Sequence, residues 1–174
     1  MTVFGRGVCV LFAAAMCRAA GAADSLFLEA EDFQFFGGWL RMTDPAASGR
    51  AYLQVPSAGK GGDALTAVSV DKAAEYVFWV RSRDFAADRP KTRKFALLVD
   101  GVPLAERGGT HGREGFAWQA RGTLTLQAGD HLLTLRDTAH AYGRCDSLFV
   151  TRAGKNPETM PARQILAARA QSRA

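Results

Sequence analysis

Cysteine is scarce in this chain, and its placement matters more than its number. Cys9 and Cys17 fall within the first 23 residues, which leaves Cys145 alone in everything that follows. A single thiol excludes an intrachain disulfide framework and a thiolate zinc site from that remainder. Long apolar runs are missing too. The run from Val8 to Met16 is far shorter than the roughly 20 residues that a membrane-spanning helix needs. No Gly-x-Ser-x-Gly element marks a hydrolase nucleophile, and no Gly-x-Gly-x-x-Gly turn follows a strand to receive a dinucleotide. No basic stripe carries interleaved aromatics, so the basic balance is not a nucleic-acid signature.

That balance is +5 for the whole chain, from 22 Lys and Arg against 17 Asp and Glu. Arg6 and Arg18 belong to the N-terminal stretch, and Arg163, Arg169 and Arg173 to the C-terminal one. The part between is close to neutral. The N-terminal stretch itself has a basic start, a short apolar run and small residues at Ala20-Gly21-Ala22-Ala23. That order is the pattern of a secretory signal peptide over residues 1–23, with a secreted or periplasmic product. Cys17 offers a lipoprotein alternative, but the residues flanking it make a poor lipid-attachment signal.

What is present is a series of short apolar runs broken by turn residues, the reading of an antiparallel β-sandwich. Expected strands cover Leu26–Glu31, Trp39–Met42, Ala51–Val55, Ala64–Val70, Glu75–Arg81, Lys94–Val99, Phe116–Arg121, Gly122–Leu126, His131–Arg136 and Cys145–Thr151. Glu75–Arg81 is the strongest. Tyr76, Phe78 and Val80 take one face, and Val77, Trp79 and Arg81 the other. Arg83–Thr92 and Gly108–Gly115 read as surface loops. Residues 24–154 thus form one domain, and residues 155–174 a linker with a short basic helix over Ala162–Ala170, or a disordered tail. Such a segment is too short to fold alone.

Glu29 and Glu31 would share one face of the first strand. Two carboxylates that close need a cation, a basic side chain or water between them. Asp146 lies in the last strand, and if the two strands meet, three hard oxygen donors converge, which suits calcium. The alternative is a solvated strand edge. A general acid/base pair is a weaker reading, because both groups would act from one side.

Leu28-Glu29-Ala30-Glu31-Asp32, Leu126 to Leu135 and Arg144-Cys145-Asp146-Ser147-Leu148-Phe149-Val150 resemble carbohydrate-binding modules of families 6 and 35. Glu31-Asp32-Phe33 through Trp39, Val77 through Asp84, Gly115 through Gln119, and Gly143 through Asp146 are similar to one group within that type. This group is the non-catalytic module beside secreted bacterial FAD-dependent oxidoreductases found near polysaccharide-lyase systems. The resemblance implies a jelly roll with a structural calcium on Glu29, Glu31 and Asp146, helped by a carbonyl near Gly49 or Arg50. It implies a glycan or polysaccharide as partner, no chemistry in this chain, and an enzyme domain attached or docked.

Sugar recognition calls for exposed aromatic faces and polar side chains. Trp39, Trp118 and Tyr142 fall at loop edges and are the stacking candidates, each with core packing as its alternative. Arg81, Arg83, Asp84, His111 and Arg144 are the hydrogen-bonding candidates, and Arg144 has pairing with Asp146 or Glu29 as an alternative. Trp79 is assigned to the core. His111 and His140 also read as solvated loop residues. A monomer is expected. A docking module without a glycan ligand, a small hydrolase and the N-terminal part of a larger secreted enzyme are the competing readings.

Overall fold

The computed structural model describes residues 25–57, 61–140, 142–152 and 155–172. The expected leader and the expected domain boundary at Gly154 lie outside these residues. Among the described residues, the strands are β1 (Ser25–Glu29), β2 (Leu40–Thr43), β3 (Ala51–Gln54), β4 (Asp63–Val70), β5 (Ala74–Asp84), β6 (Phe95–Val99), β7 (Val102–Pro103), β8 (Gly115–Leu126), β9 (Gly129–Asp137) and β10 (Arg144–Arg152). One helix follows, α1 (Ala162–Ser172).

The strands form two antiparallel sheets. The larger runs β2-β3-β10-β5-β8, with β1 also paired to β10, and the smaller runs β4-β9-β6-β7. First and last strands do meet: Phe27 pairs with Phe149, and Glu29 with Ser147. The strands of this all-β sandwich follow from the period-two pattern, and the short C-terminal helix from the Ala- and Arg-rich segment after Pro161. On β5, Tyr76, Phe78 and Val80 enter the core between the sheets, where they meet Leu97, Val99, Leu133, Leu135, Leu148 and Val150. Burying one such side chain fully is worth about 1.5–3 kcal/mol.

Three expectations need correction. The first strand stops at Glu29, and Ala30–Asp32 is a 3-10 turn, so Glu31 does not share a strand face with Glu29. Phe116–Arg121 and Gly122–Leu126 are one strand, β8, because the interruption is a bulge: Phe78 pairs with Gly122 but Trp79 with Ala120, leaving Arg121 as the extra residue. Finally, β5 continues to Asp84, so Arg83 is a strand residue and the loop starts at Phe85.

A second apolar cluster lies on the outer face of the larger sheet. Phe27, Phe149, Trp79 and Trp118 gather there beneath Met160, Ile165 and Ala168. Thus α1 packs back on the sandwich, and Trp79 belongs to this outer cluster and not to the main core.

Candidate functional site

Two side-chain clusters stand out at the end of the larger sheet where β1 stops and β10 begins. The first is acidic. The side chains of Glu29 and Glu31 both close on Gly49: a Cβ there would collide with Glu31 Oε1 and stand 3.3 Å from Glu29 Cδ. Glycine at 49 is what lets the two carboxylates approach the backbone. Ser48 ties this loop down, its amide donating to Asp146 Oδ1 at 2.9 Å and its hydroxyl to Glu29 Oε1 at 3.2 Å. Glu31 Oε2 is buried without a hydrogen-bond partner. Burial foremost, and the neighbouring charges of Glu29, Asp146 and Asp32, push the Glu31 carboxyl up to about 7.

Asp146 is the extra residue of a bulge in β10, since Cys145 pairs with Ser82 and Ser147 with Arg81. The bulge turns its fully buried carboxylate outward to Arg81, which forms an ion pair with it. Both Asp146 oxygens are therefore engaged, by Arg81 and by the Ser48 amide. Among the described residues, no three carboxylate, imidazole or thiol side chains are grouped to chelate an ion together. The Arg50 carbonyl accepts from the Asp44 amide at 3.1 Å. What fits a cation is narrower than the expected triad: the Glu29 and Glu31 carboxylates and the Ser48 backbone, with one orphaned carboxylate oxygen inside.

The second cluster is aromatic and basic. On the outer face of β5, Arg81 and Arg83 follow Trp79. The Arg81 guanidinium lies 5.1 Å from the Phe116 ring centroid, and Arg83 lies 5.6 Å from Phe116 and 5.1 Å from Phe85. Arg93 and Arg144 also cover Phe85, at 4.3 and 5.1 Å. Tyr52 meets Phe116 edge-on at 5.5 Å. Such stacking favours a guanidinium on a ring face. Arg83 pairs with Asp44, and Arg93 with Asp88. Arg144 differs. Its Nε donates to Gln54 Oε1 at 2.8 Å and its Nη1 to the Tyr142 carbonyl at 3.3 Å. Burial, with Arg93 and Arg83 nearby, lowers its pKa although Tyr52 opposes this. Neither Asp146 nor Glu29, its expected alternatives, is its partner.

The remaining expected residues divide clearly. Trp39 is not at the surface. It is 2% exposed in the core, its Nε1 donating to the Gly62 carbonyl at 2.9 Å and its ring meeting Phe95 edge-on. Trp118 is half-buried in the outer cluster, edge-on to Phe27 and Phe149. Tyr142 is 44% exposed, with Arg144 over its ring at 5.8 Å. Asp84 is fully buried and accepts from the amides of Phe85, Lys91 and Gly112, so it shapes loops and does not face solvent. His111 is half-buried and braced: Nδ1 accepts the Arg113 amide at 3.1 Å, which leaves Nε2–H to donate to the Ser82 carbonyl at 2.9 Å. His140 is exposed beside Asp137. Cys145 is buried in the core, and burial pushes its thiol well up, away from nucleophilic chemistry.

Phe85, Arg93 and Phe116 were not singled out by the sequence. Phe85 carried a signal, as an aromatic alone in a charged loop.

The fold matches solved structures. A family 35 carbohydrate-binding module from Clostridium thermocellum aligns with a TM-score of 0.59 and 20% identity, over 72% of this chain and 97% of that one. This is the sandwich of the family 35 and family 6 carbohydrate-binding modules. The C-terminal CBM6 of LamC from Zobellia galactanivorans aligns at a TM-score of 0.54 and 12% identity, over 74% of this chain and 99% of that one. The GH26-CBM35 β-(1,4)-mannanase from Podospora anserina aligns at 0.59 and 19% identity. There the match covers 76% of this chain but only 28% of the mannanase chain. No protein-family model matches the sequence, and no curated protein matches it significantly.

Proposed function

We propose that the chain is a secreted, non-catalytic carbohydrate-binding module. Its ligand is a glycan carrying an acid group, held where Tyr142, Arg144, Phe85 and Arg83 meet. The observation that carries this is Arg144. Its guanidinium is anchored on neutral oxygens and has no carboxylate within ion-pair reach among the described residues. A positioned cation beside an exposed phenol ring suits a carboxylate on a pyranose: the guanidinium takes the acid, and the ring takes the apolar C–H face. The sandwich fold of binding modules supports this reading.

Calcium in this reading is structural. Glu29, Glu31 and the Ser48–Gly49 backbone would hold it, and it would brace the end of β1 against the β2–β3 loop. An enzyme domain, attached or docked, is the natural partner, since binding modules of this fold occur within larger enzyme chains. A link to FAD-dependent oxidoreductases rests on the sequence resemblance alone.

The test is a glycan array carrying neutral and uronate-containing oligosaccharides, probed with the wild-type chain and Arg144→Ala. Binding confined to acidic glycans, and weakened roughly tenfold by Arg144→Ala, is the expected result. Binding to neutral glycans only, or unchanged binding by the variant, overturns the site. One observation favours a second reading, a docking module without a glycan ligand: Trp39 is buried in the core and Trp118 is half-buried in the outer cluster. An array silent for both chains selects that reading.

A further inference from the structure

Arg169 is on α1, yet its guanidinium does not point to solvent. Nη2 stands 2.6 Å from Glu29 Oε1, and Nη1 donates to the Ser48 carbonyl at 3.5 Å. The Glu29 side chain is 1% exposed beneath it. A carboxylate oxygen and a peptide carbonyl are the hard oxygen donors that a divalent cation takes. Here one guanidinium holds both. A metal ion that takes Glu29 Oε1 and the Ser48 carbonyl competes with Arg169 for the same two oxygens, and holding both positive charges there costs repulsion at a few ångströms.

Among the described residues, the other contacts of the helix are mainly apolar. It is 11 residues long, and an isolated helix of that length is marginal in water. Ile165 and Ala168, with the preceding Met160, seat it on Phe27, Phe149, Trp79 and Trp118, and Arg113 pairs with Glu158 upstream of it. Leu166 is 61% exposed and adds nothing to the seat. The Arg169 contacts thus join the C-terminal half of the helix to the end of β1 and to the Ser48 loop.

We propose that Arg169 and a divalent cation are alternative occupants of the Glu29–Ser48–Glu31 site, so that metal binding releases α1 and uncovers Trp79 and Trp118. The inference rests on the metal reading above. Linkage makes it reciprocal: whatever Arg169 contributes to helix docking, it subtracts from metal affinity. The second sign of a cation site is independent of Arg169. Glu31 is nine-tenths buried, closes on the same Gly49 and has an oxygen left without a partner.

The test uses the whole chain, stripped of metal by chelation and dialysis. Calcium is titrated by calorimetry into wild type, Arg169→Gln and Arg169→Lys. Arg169→Gln should bind calcium roughly tenfold tighter than wild type. Arg169→Lys, which keeps a cation without the two-pronged fit, should fall between. In wild type, saturating calcium should speed amide exchange across residues 162–172 and open tryptophan fluorescence to an aqueous quencher. Equal affinity in wild type and Arg169→Gln, or calcium binding with helix exchange unchanged, overturns the competition and leaves the metal reading standing. No calcium binding by any of the three chains removes the metal reading and this inference with it.

Discussion

The outer face of the larger sheet has two halves built by the same strands. On β5, Val77 and Trp79 give way to Arg81 and Arg83, and on β8 Trp118 gives way to Phe116. The Trp79–Trp118 half joins Phe27 and Phe149 under α1. Among the described residues, no helix covers the arginine half. Instead its guanidiniums lie on the rings of Phe85 and Phe116 and pair with Asp146 and Asp44. An apolar half must be covered, because an exposed patch of four aromatics invites association. A half faced with arginines covers its own rings while its charged heads remain hydrated. One face thus supplies a packing surface and a polar surface, and the acidic cluster sits at their border.

If this division holds, the apolar half carries stability and the arginine half carries recognition. Phe149 lies at the centre of the outer cluster and is fully buried. Phe149→Ala should cost about 3–5 kcal/mol in urea unfolding while leaving glycan affinity unchanged below the unfolding transition. A loss under about 1 kcal/mol would mean that the cluster collapses without penalty and that α1 is not a structural cover.

A smaller effect is expected at the border. Asp146 is fully buried, and Arg81, about a fifth exposed, is its charged partner. Arg81→Ala leaves that carboxylate with the Ser48 and Ser147 donors only. The expected loss is about 2 kcal/mol in urea unfolding. Arg83→Ala removes a partner from Asp44, which is nearer to solvent, so its loss should be smaller. If the two losses are equal, burial of the acid is not what sets the cost, and the border is no different from the open half.

The sheets were legible because strand period is local. The alternation in Glu75–Arg81 separates the two faces of β5, but it does not say which is the core face: Trp79, expected in the core, lies in the outer cluster. What was illegible depended on contacts far apart in sequence. Trp39 follows Gly37-Gly38 and looks like a loop aromatic. It turns inward because the Gly62 carbonyl and the Phe95 ring receive it. Glu29 and Glu31 do come together, but not through strand alternation: the chain turns at Ala30, and what unites them is Gly49. Asp146 does lie near them, but a bulge gives its oxygens to Arg81 and Ser48. Arg169 lies 140 residues from Glu29, on a helix with no strong apolar stripe, so nothing local announced its destination.

The smallest expected effect lies on the other sheet and is a control for the first. His131 Nδ1 is 2.6 Å from Asp100 Oδ2, and Nε2 is 2.9 Å from the Gln127 carbonyl. Burial, the largest single influence, would lower the imidazole pKa, but the Asp100 hydrogen bond, the Gln127 carbonyl and the charges of Asp100 and Asp130 together outweigh it and raise His131 above 6.5. Burial alone would raise Asp100, but the His131 and Leu132 donors outweigh it and hold the carboxyl below 3.8. The sign follows from both shifts. The His131 contribution is full below 6.5 and fades as pH rises through its higher folded value. The Asp100 contribution is full above 3.8 and fades as pH falls through its lower folded value. The pair therefore stabilises the sandwich most between pH 3.8 and 6.5. NMR titration of His131 should show a raised midpoint that Asp100→Asn returns toward 6.5. Asp100 is half exposed, so the change in urea midpoint should be slight. Calcium should leave the His131 midpoint unmoved, because this pair is on the smaller sheet, away from Glu29. A calcium-dependent shift there would mean that the two sheets are coupled, and the border cluster could not then be treated as a local event.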